Sequence, residues 1–173
     1  IRDRLITGGA QRICKALVNH FHGNGWNIIF QYRSSKVEAE SIKEKLNSVR
    51  ANSCEIIQCD FDDSDSCEIF YKELEDILDG LTALINNAST FYPKKLSETS
   101  HDDWVKLTSS NLYLPIFLSK FCSAELVKNK GHIVNIADIH AEQGLKNYTV
   151  YTAAKAGLMN LSLIHISEPT RRS

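Results

Sequence analysis

The chain is 173 residues long, carries a formal net charge of -1, and is 43% apolar and 24% charged. These values describe an ordinary globular domain with one sizeable core and exclude a disordered or collagen-like chain. Near-neutrality removes the electrostatic reason to expect nucleic acid or an anionic membrane as partner, and no apolar run approaches the roughly 18–20 residues of a membrane helix.

Short β-rich apolar runs recur at 4–7, 26–32, 54–59, 81–85 and 132–136. Helical spacing fills the gaps. Leu17, Val18 and Phe21 mark a first helix, Ile42, Leu46 and Val49 a second, and Ile69, Phe70, Leu74, Ile77 and Leu78 a third. A long fourth helix places Trp104, Leu107, Asn111, Leu114, Leu118, Cys122 and Leu126 on one stripe. Ser100 is positioned to cap it, Asp103 lies in its first turn, and Pro115 predicts a kink. The strands read as continuous apolar runs, the mark of a parallel sheet buried on both faces. Repeated βαβ units of this kind predict a doubly wound, Rossmann-type α/β/α domain of three layers.

The five cysteines, Cys14, Cys54, Cys59, Cys67 and Cys122, form no C-x-x-C pair. Reduced thiols and a cytoplasmic protein are expected, with no metal site: His20 and His22 are two apart on a helix and face different ways. The first residues do not read as a signal peptide, and there is no initiating Met. Residues 161–171 read LSLIHISEPTR, similar to the conceptual translation of a transposon adapter used in sequencing libraries. We therefore expect one domain over 1–160, incomplete at its C-terminus, and a non-native tail over 161–173; the alternative is a genuine C-terminal segment.

The first strand runs into Thr7, Gly8, Gly9, Ala10, Gln11, Arg12 and Ile13, then a helix. A glycine turn at that point lets backbone N–H groups and the helix N-terminus meet a dinucleotide pyrophosphate, although the full G-x-G-x-x-G is absent. An NAD-binding fold usually places an acid at the end of the second strand. Here no Asp or Glu occurs between Asp3 and Glu38, and the strand ends in Tyr32, Arg33, Ser34, Ser35 and Lys36. A guanidinium with hydroxyls suits a 2′-phosphate and so NADPH. Tyr151 and Lys155 stand one helical turn apart, with Asp138 thirteen residues earlier at the end of the fifth strand, where open α/β sheets bind ligands. Tyr32 and Lys36 match the same Y-x-x-x-K spacing at a strand end, where that geometry fails.

Together these residues resemble the short-chain dehydrogenase/reductase family, from Leu5 to about Asn160. The glycine loop is met by Thr7 and Gly8, the adenine-binding acid by Asp60 with Phe61 after it, and the Asn-Asn-Ala motif by Asn86, Asn87 and Ala88. The mid-helix Asn is met by Asn111, and the Tyr and Lys by Tyr151 and Lys155. Within the family the chain resembles pteridine reductases, which carry Arg at the position of Arg12, an Asn-Asn-Ala-Ser run leading to Phe-Tyr-Pro as at 86–93, and Asp at the position of Asp138. Cys14 departs from the family, which has a third Gly there; a tolerated substitution or a sequence error is expected, the alternatives being a side chain that crowds the pyrophosphate and a reactive thiol.

The resemblance implies NADPH-dependent reduction of a pterin, a dihydropterin or a folate. Thr7, Gly8, Arg12, Ile13, Tyr32, Arg33, Ser34, Asp60, Phe61, Asn87, Ala88, Ser89 and Lys155 would hold the cofactor. Arg12, Ser89, Phe91, Asp138 and Tyr151 would hold the substrate, with Phe91 stacked on the pterin. Tyr151 would donate a proton, its pKa lowered by Lys155; Asp138 would orient it, and Asn111 would keep a water beside Lys155. Two further strands and the substrate loop would follow the last helix, so this stretch alone is expected to be inactive. A homotetramer or homodimer is implied for the full form. The alternatives are a short-chain reductase of another carbonyl substrate and an inactive NADP-binding fragment.

Overall fold

The computed structural model describes residues 3–167. Strands and helices alternate as β1 (Asp3–Ile6), α1 (Arg12–Gly23), β2 (Asn27–Tyr32), α2 (Lys36–Val49), β3 (Cys54–Gln58), α3 (Ser64–Ile77), β4 (Leu81–Asn86), α4 (His101–Thr108), α5 (Leu114–Lys128), β5 (His132–Asn135) and α6 (Thr149–Ser167). All strand pairs are parallel, in the order β3-β2-β1-β4-β5. This is the expected Rossmann-type α/β sheet. Helix α6 runs through the first part of the expected tail, and residues 168–173 lie outside the described residues.

Alternate residues of each strand supply two apolar layers. Ile6, Ile28 and Phe30 join Cys14 and Val18 of α1 and Ala39, Ile42 and Leu46 of α2. Leu5, Ile29 and Leu84 join Phe70 and Leu74 of α3 and Leu114, Leu118, Cys122 and Leu126 of α5. Leu74 is fully buried, and truncating such a residue to Ala costs about 2–5 kcal/mol. Strand β5 departs from the expected two-sided burial: His132 and Val134 are exposed on this strand, which among the described residues lies at one edge of the sheet beside β4.

The long fourth helix is two helices. Ser100 caps α4 in a reciprocal box with Asp103, as its sequence requires. The break comes at a widened π turn over Ser109–Tyr113, upstream of Pro115, which lies in the first turn of α5. A proline ring collides with the carbonyl four residues back and offers no N–H, so the turn around Asn111 opens to accommodate it.

The strand order fixes where a ligand can sit. The chain fills the sheet outward from β1 through β2 and β3, then crosses to β4 on the other side of β1. The crevice at that reversal, beyond the C-terminal ends of β1 and β4, is the ligand position of an open α/β sheet. Thr7 and Gly8 follow β1 there, and Asn87 and Ala88 follow β4.

Candidate active site

Thr7 ties the two strand ends together. Its buried Oγ1 accepts the N–H groups of Asn87 and Ala88, both at 3.1 Å, and its carbonyl accepts Asn87 Nδ2 at 2.9 Å. Gly8 faces this joint with φ +115°, and an added Cβ would stand 2.5 Å from Asn87 Nδ2 and 2.9 Å from the Ala88 nitrogen. Only glycine fits.

A residue that sequence reasoning missed sets the loop. Gln31 is buried, donates from Nε2 to the Cys59 carbonyl at 2.7 Å, and accepts the Gly8 N–H on Oε1 at 3.0 Å. The Gly9 N–H binds the Gln31 carbonyl at 2.8 Å. The available signal was a lone amide inside an apolar strand.

Arg12 opens α1 with φ +48°, in the left-handed region where glycine is the usual occupant, and no side chain caps the helix. Ile13 is exposed beside it, and the first-turn N–H groups have no capping side chain. Cys14 turns the other way. It is buried among Ile6, Ala10 and Val18, and burial pushes its thiol up to about 12. It neither crowds the crevice nor acts as a reactive thiol.

A cleft of about 250 Å³ beside the loop is lined by Gly8, Gln31, Arg33, Phe61, Asp62, Ala88, Ser89 and Thr90 among others. Arg33 is exposed and lies 3.5 Å from Asp62 Oδ2 and 3.9 Å from Asp60 Oδ1; Ser34 is exposed next to it. Phe61 packs edge-on against Phe70. Tyr32 is not on this wall. Its ring is buried in the apolar layer with Ala39 and Ile42, because alternate residues of β2 face opposite sides of the sheet. A larger cavity of about 810 Å³ opens between α3 and the α4–α5 pair and is lined by neither Tyr151 nor Lys155.

On the other side of β4, Tyr151 and Asp138 meet. The Tyr151 hydroxyl donates to Asp138 Oδ2 at 2.5 Å, while Asp138 Oδ1 accepts the His140 N–H at 2.9 Å. Lys155 is buried one turn along α6, donates to the Ile136 carbonyl at 2.9 Å and lies 6.0 Å from the Tyr151 ring centre. The charges do not act as expected from sequence. Burial, then the Asp138 carboxylate, holds the Tyr151 phenol well above its ordinary value. The tyrosine hydroxyl in turn holds Asp138 below the usual carboxylate range. Burial lowers the Lys155 ammonium, and Asp138 opposes that shift. The proton of the pair thus rests on Tyr151, facing an anion.

Asn111 lies in the widened turn between α4 and α5. Its buried side chain donates to the carbonyls of Thr90 (2.7 Å) and Leu107 (2.8 Å) and accepts Ser89 Oγ (2.8 Å). Both amide hydrogens go to the protein, so the side chain anchors the segment after β4. That segment brings Phe91 over the pair. Its half-exposed ring stacks on Tyr148 at 4.5 Å and 16° and meets Tyr151 edge-on at 4.7 Å. The Lys94 N–H binds the Asn147 carbonyl at 2.6 Å, and Asp103 joins Tyr92 to Lys94. Tyr148 and Asp103 were not foreseen as parts of this frame.

Residues 4–168 match the family described as short chain dehydrogenase. The chain belongs to the short chain dehydrogenase family. Members are oxidoreductases that use a nicotinamide cofactor. The chain is 27% identical to an uncharacterized oxidoreductase of Thermotoga maritima, over 91% of its own length and 61% of that protein. It is 26% identical to pteridine reductase 1 of Leishmania tarentolae, over 91% and 68% respectively. It is 25% identical to a 3-oxoacyl-acyl-carrier-protein reductase of Staphylococcus aureus, over 93% and 65%. The chain thus spans about three fifths to two thirds of the length of these relatives. Among the described residues no helix is long and apolar enough to cross a membrane.

Proposed function

We propose that the protein reduces an oxidised pterin, dihydropterin or folate with NADPH. The observation that carries this reading is the 2.5 Å bond from Tyr151 to Asp138, placed under the half-exposed ring of Phe91. A carboxylate suits the N–H donors of a pterin, and an aromatic face suits its flat ring. The similarity to a pteridine reductase supports it.

The residues fit a dinucleotide. The uncapped first turn of α1, with Arg12 and Ile13, would take the pyrophosphate, and Gly8 leaves room for backbone approach. Thr7, Asn87 and Ala88 frame the crevice, Asp60 and Phe61 would border the adenine, and Arg33 with Ser34 would take a 2′-phosphate. Lys155 makes one hydrogen bond to protein from a buried ammonium, which leaves donors for ribose hydroxyls. A bound NADPH supplies the hydride.

The chain's own part is the proton. Tyr151 releases its hydroxyl proton to a ring nitrogen of the substrate, and the resulting phenolate is offset by Lys155. Asp138 holds the resting hydroxyl and returns a proton from solvent to Tyr151 Oη. Because Asp138 disfavours a phenolate, donation needs a substrate that turns the hydroxyl away from the carboxylate. Ser89, on the tyrosine side of the cleft, and Phe91 place that substrate.

The test is steady-state NADPH oxidation by the full-length protein with dihydropterin and with a panel of 3-oxoacyl and steroid ketones. We expect dihydropterin to be preferred. Tyr151→Phe should lower turnover by about 10²–10⁴-fold and leave NADPH affinity unchanged. Preference for a ketone, or turnover surviving in Tyr151→Phe, would remove the basis of this assignment.

A further inference from the structure

Two cysteines outside the proposed chemistry lie against one another. Cys59 follows β3 and is fully buried; Cys67 lies in the first turns of α3 and lines the 810 Å³ cavity. Their sulfurs are 4.0 Å apart. A disulfide needs about 2.05 Å, so closure asks for about 2 Å of movement, within reach of side-chain rotation and a small shift of the helix end. Of the other described cysteines, Cys14 and Cys54 lie in the opposite apolar layer, under α1 and α2, and Cys122, on α5, shares the layer of Cys59.

The pair is wired to the glycine loop. The Cys59 carbonyl accepts Gln31 Nε2, whose Oε1 holds the Gly8 N–H, and the Cys59 N–H donates to the Tyr32 carbonyl at 2.9 Å. The Asp60 N–H donates to Ser66 Oγ at 2.9 Å, and Cys67 Sγ reaches the Asp60 carbonyl at 3.8 Å. Drawing Cys59 toward α3 pulls on each of these bonds.

We propose that Cys59 and Cys67 form a thiol–disulfide exchange site, opened to small disulfides through Cys67, whose closure loosens the glycine loop. The Cys67 thiolate attacks one sulfur of a low-molecular-weight disulfide, forming a mixed disulfide and expelling one thiolate. The Cys59 thiolate then attacks Cys67 Sγ, forming the internal bond and expelling the second. The protein loses two electrons and two protons, and the small disulfide becomes two thiols. The reaction is slow near neutrality. Burial raises both thiols, and Asp60, Asp62 and Asp63 around Cys67 oppose its thiolate.

The experiment treats the reduced, folded protein with oxidised glutathione at mildly alkaline pH and reads intact mass, peptide map and backbone hydrogen exchange. The expected product has lost two hydrogens, carries no glutathione, and is cross-linked between Cys59 and Cys67. Cys59→Ser should instead stop at a glutathione adduct on Cys67. Exchange at the Gly8 and Gly9 amides should quicken by about tenfold in the oxidised form, the scale of one weakened hydrogen bond. A wild-type protein that stays reduced, keeps a glutathione adduct, or cross-links other cysteines overturns the site. Unchanged exchange in a Cys59–Cys67 cross-linked protein overturns its link to the loop. These readouts need no turnover and no bound dinucleotide, so they stand apart from the assignment as a pterin reductase.

Discussion

Replacing Gly8 by Ala tests whether the crevice between β1 and β4 is as tightly closed as its geometry states. Two costs add. A side chain at φ +115° is strained, by at least the roughly 1–2 kcal/mol that the left-handed region costs an L-residue. The new Cβ also falls 2.9 Å from the Ala88 nitrogen, which is backbone and cannot swing aside, and 2.5 Å from Asn87 Nδ2, which can move only by giving up its bond to the Thr7 carbonyl. Overpacking of that kind costs about 1–3 kcal/mol. The sum, about 2–5 kcal/mol, is a large share of a domain's 5–15 kcal/mol and corresponds to a fall in Tm of roughly 5–20 °C. Gly25 provides the control: its φ is +86°, and nothing lies within 4 Å of an added Cβ. Gly25→Ala therefore carries the dihedral cost alone. Urea unfolding of both variants beside the parent separates the two costs. If Gly8→Ala is no less stable than Gly25→Ala, the contact argument is wrong.

Arg33→Asp should abolish a preference for NADPH over NADH, since a third carboxylate would join Asp60 and Asp62 at the cleft. The loss in NADPH affinity should be about 10–100-fold, the size of charged hydrogen bonds to phosphate; fluorescence titration reads it, and equal affinity of the parent for both dinucleotides would defeat the assignment. His22 gives a pH prediction. Its Nε2 lies 2.7 Å from Ser53 Oγ, and since that hydroxyl donates to the Arg50 carbonyl, the ring nitrogen must be the donor. Burial, then the Arg50 charge, lowers its pKa. An unfolded histidine titrates near 6.5, so below about that pH the unfolded chain takes up a proton that the folded chain refuses, and stability falls as pH falls. Urea midpoints from about pH 7.5 to about 5 should therefore drop more in the parent than in His22→Gln; parallel slopes would contradict this.

The sheet was legible because a strand buried on both faces has to be largely apolar; the runs of β1 to β4 followed that rule, and β5 was apolar although His132 and Val134 are exposed. The Ser100 cap and the α6 spacing of Tyr151 and Lys155 were legible for the same kind of reason: each depends on neighbours one turn away. What failed to appear in the sequence depends on distant partners. Pro115 announced a distortion, but its position at 109–113 depends on Ser110 and Asn111 being tied to Thr90 and Ser89. Tyr32 looked like a cleft residue until the pleat of β2 turned it into the core. The protonation of Tyr151 depends on its burial and on a carboxylate at 2.5 Å, neither of which any spacing along the chain encodes.

Gln31 has a kinetic consequence. Its single amide fixes the turn after β1 from within the core, so the turn is preorganised by folding and waits for no ligand. The ordering entropy of that backbone, about 1–2 kcal/mol per residue, is already spent when a dinucleotide arrives. Related dinucleotides should then associate at similar rates, limited by encounter and orientation, and differ chiefly in how long they stay.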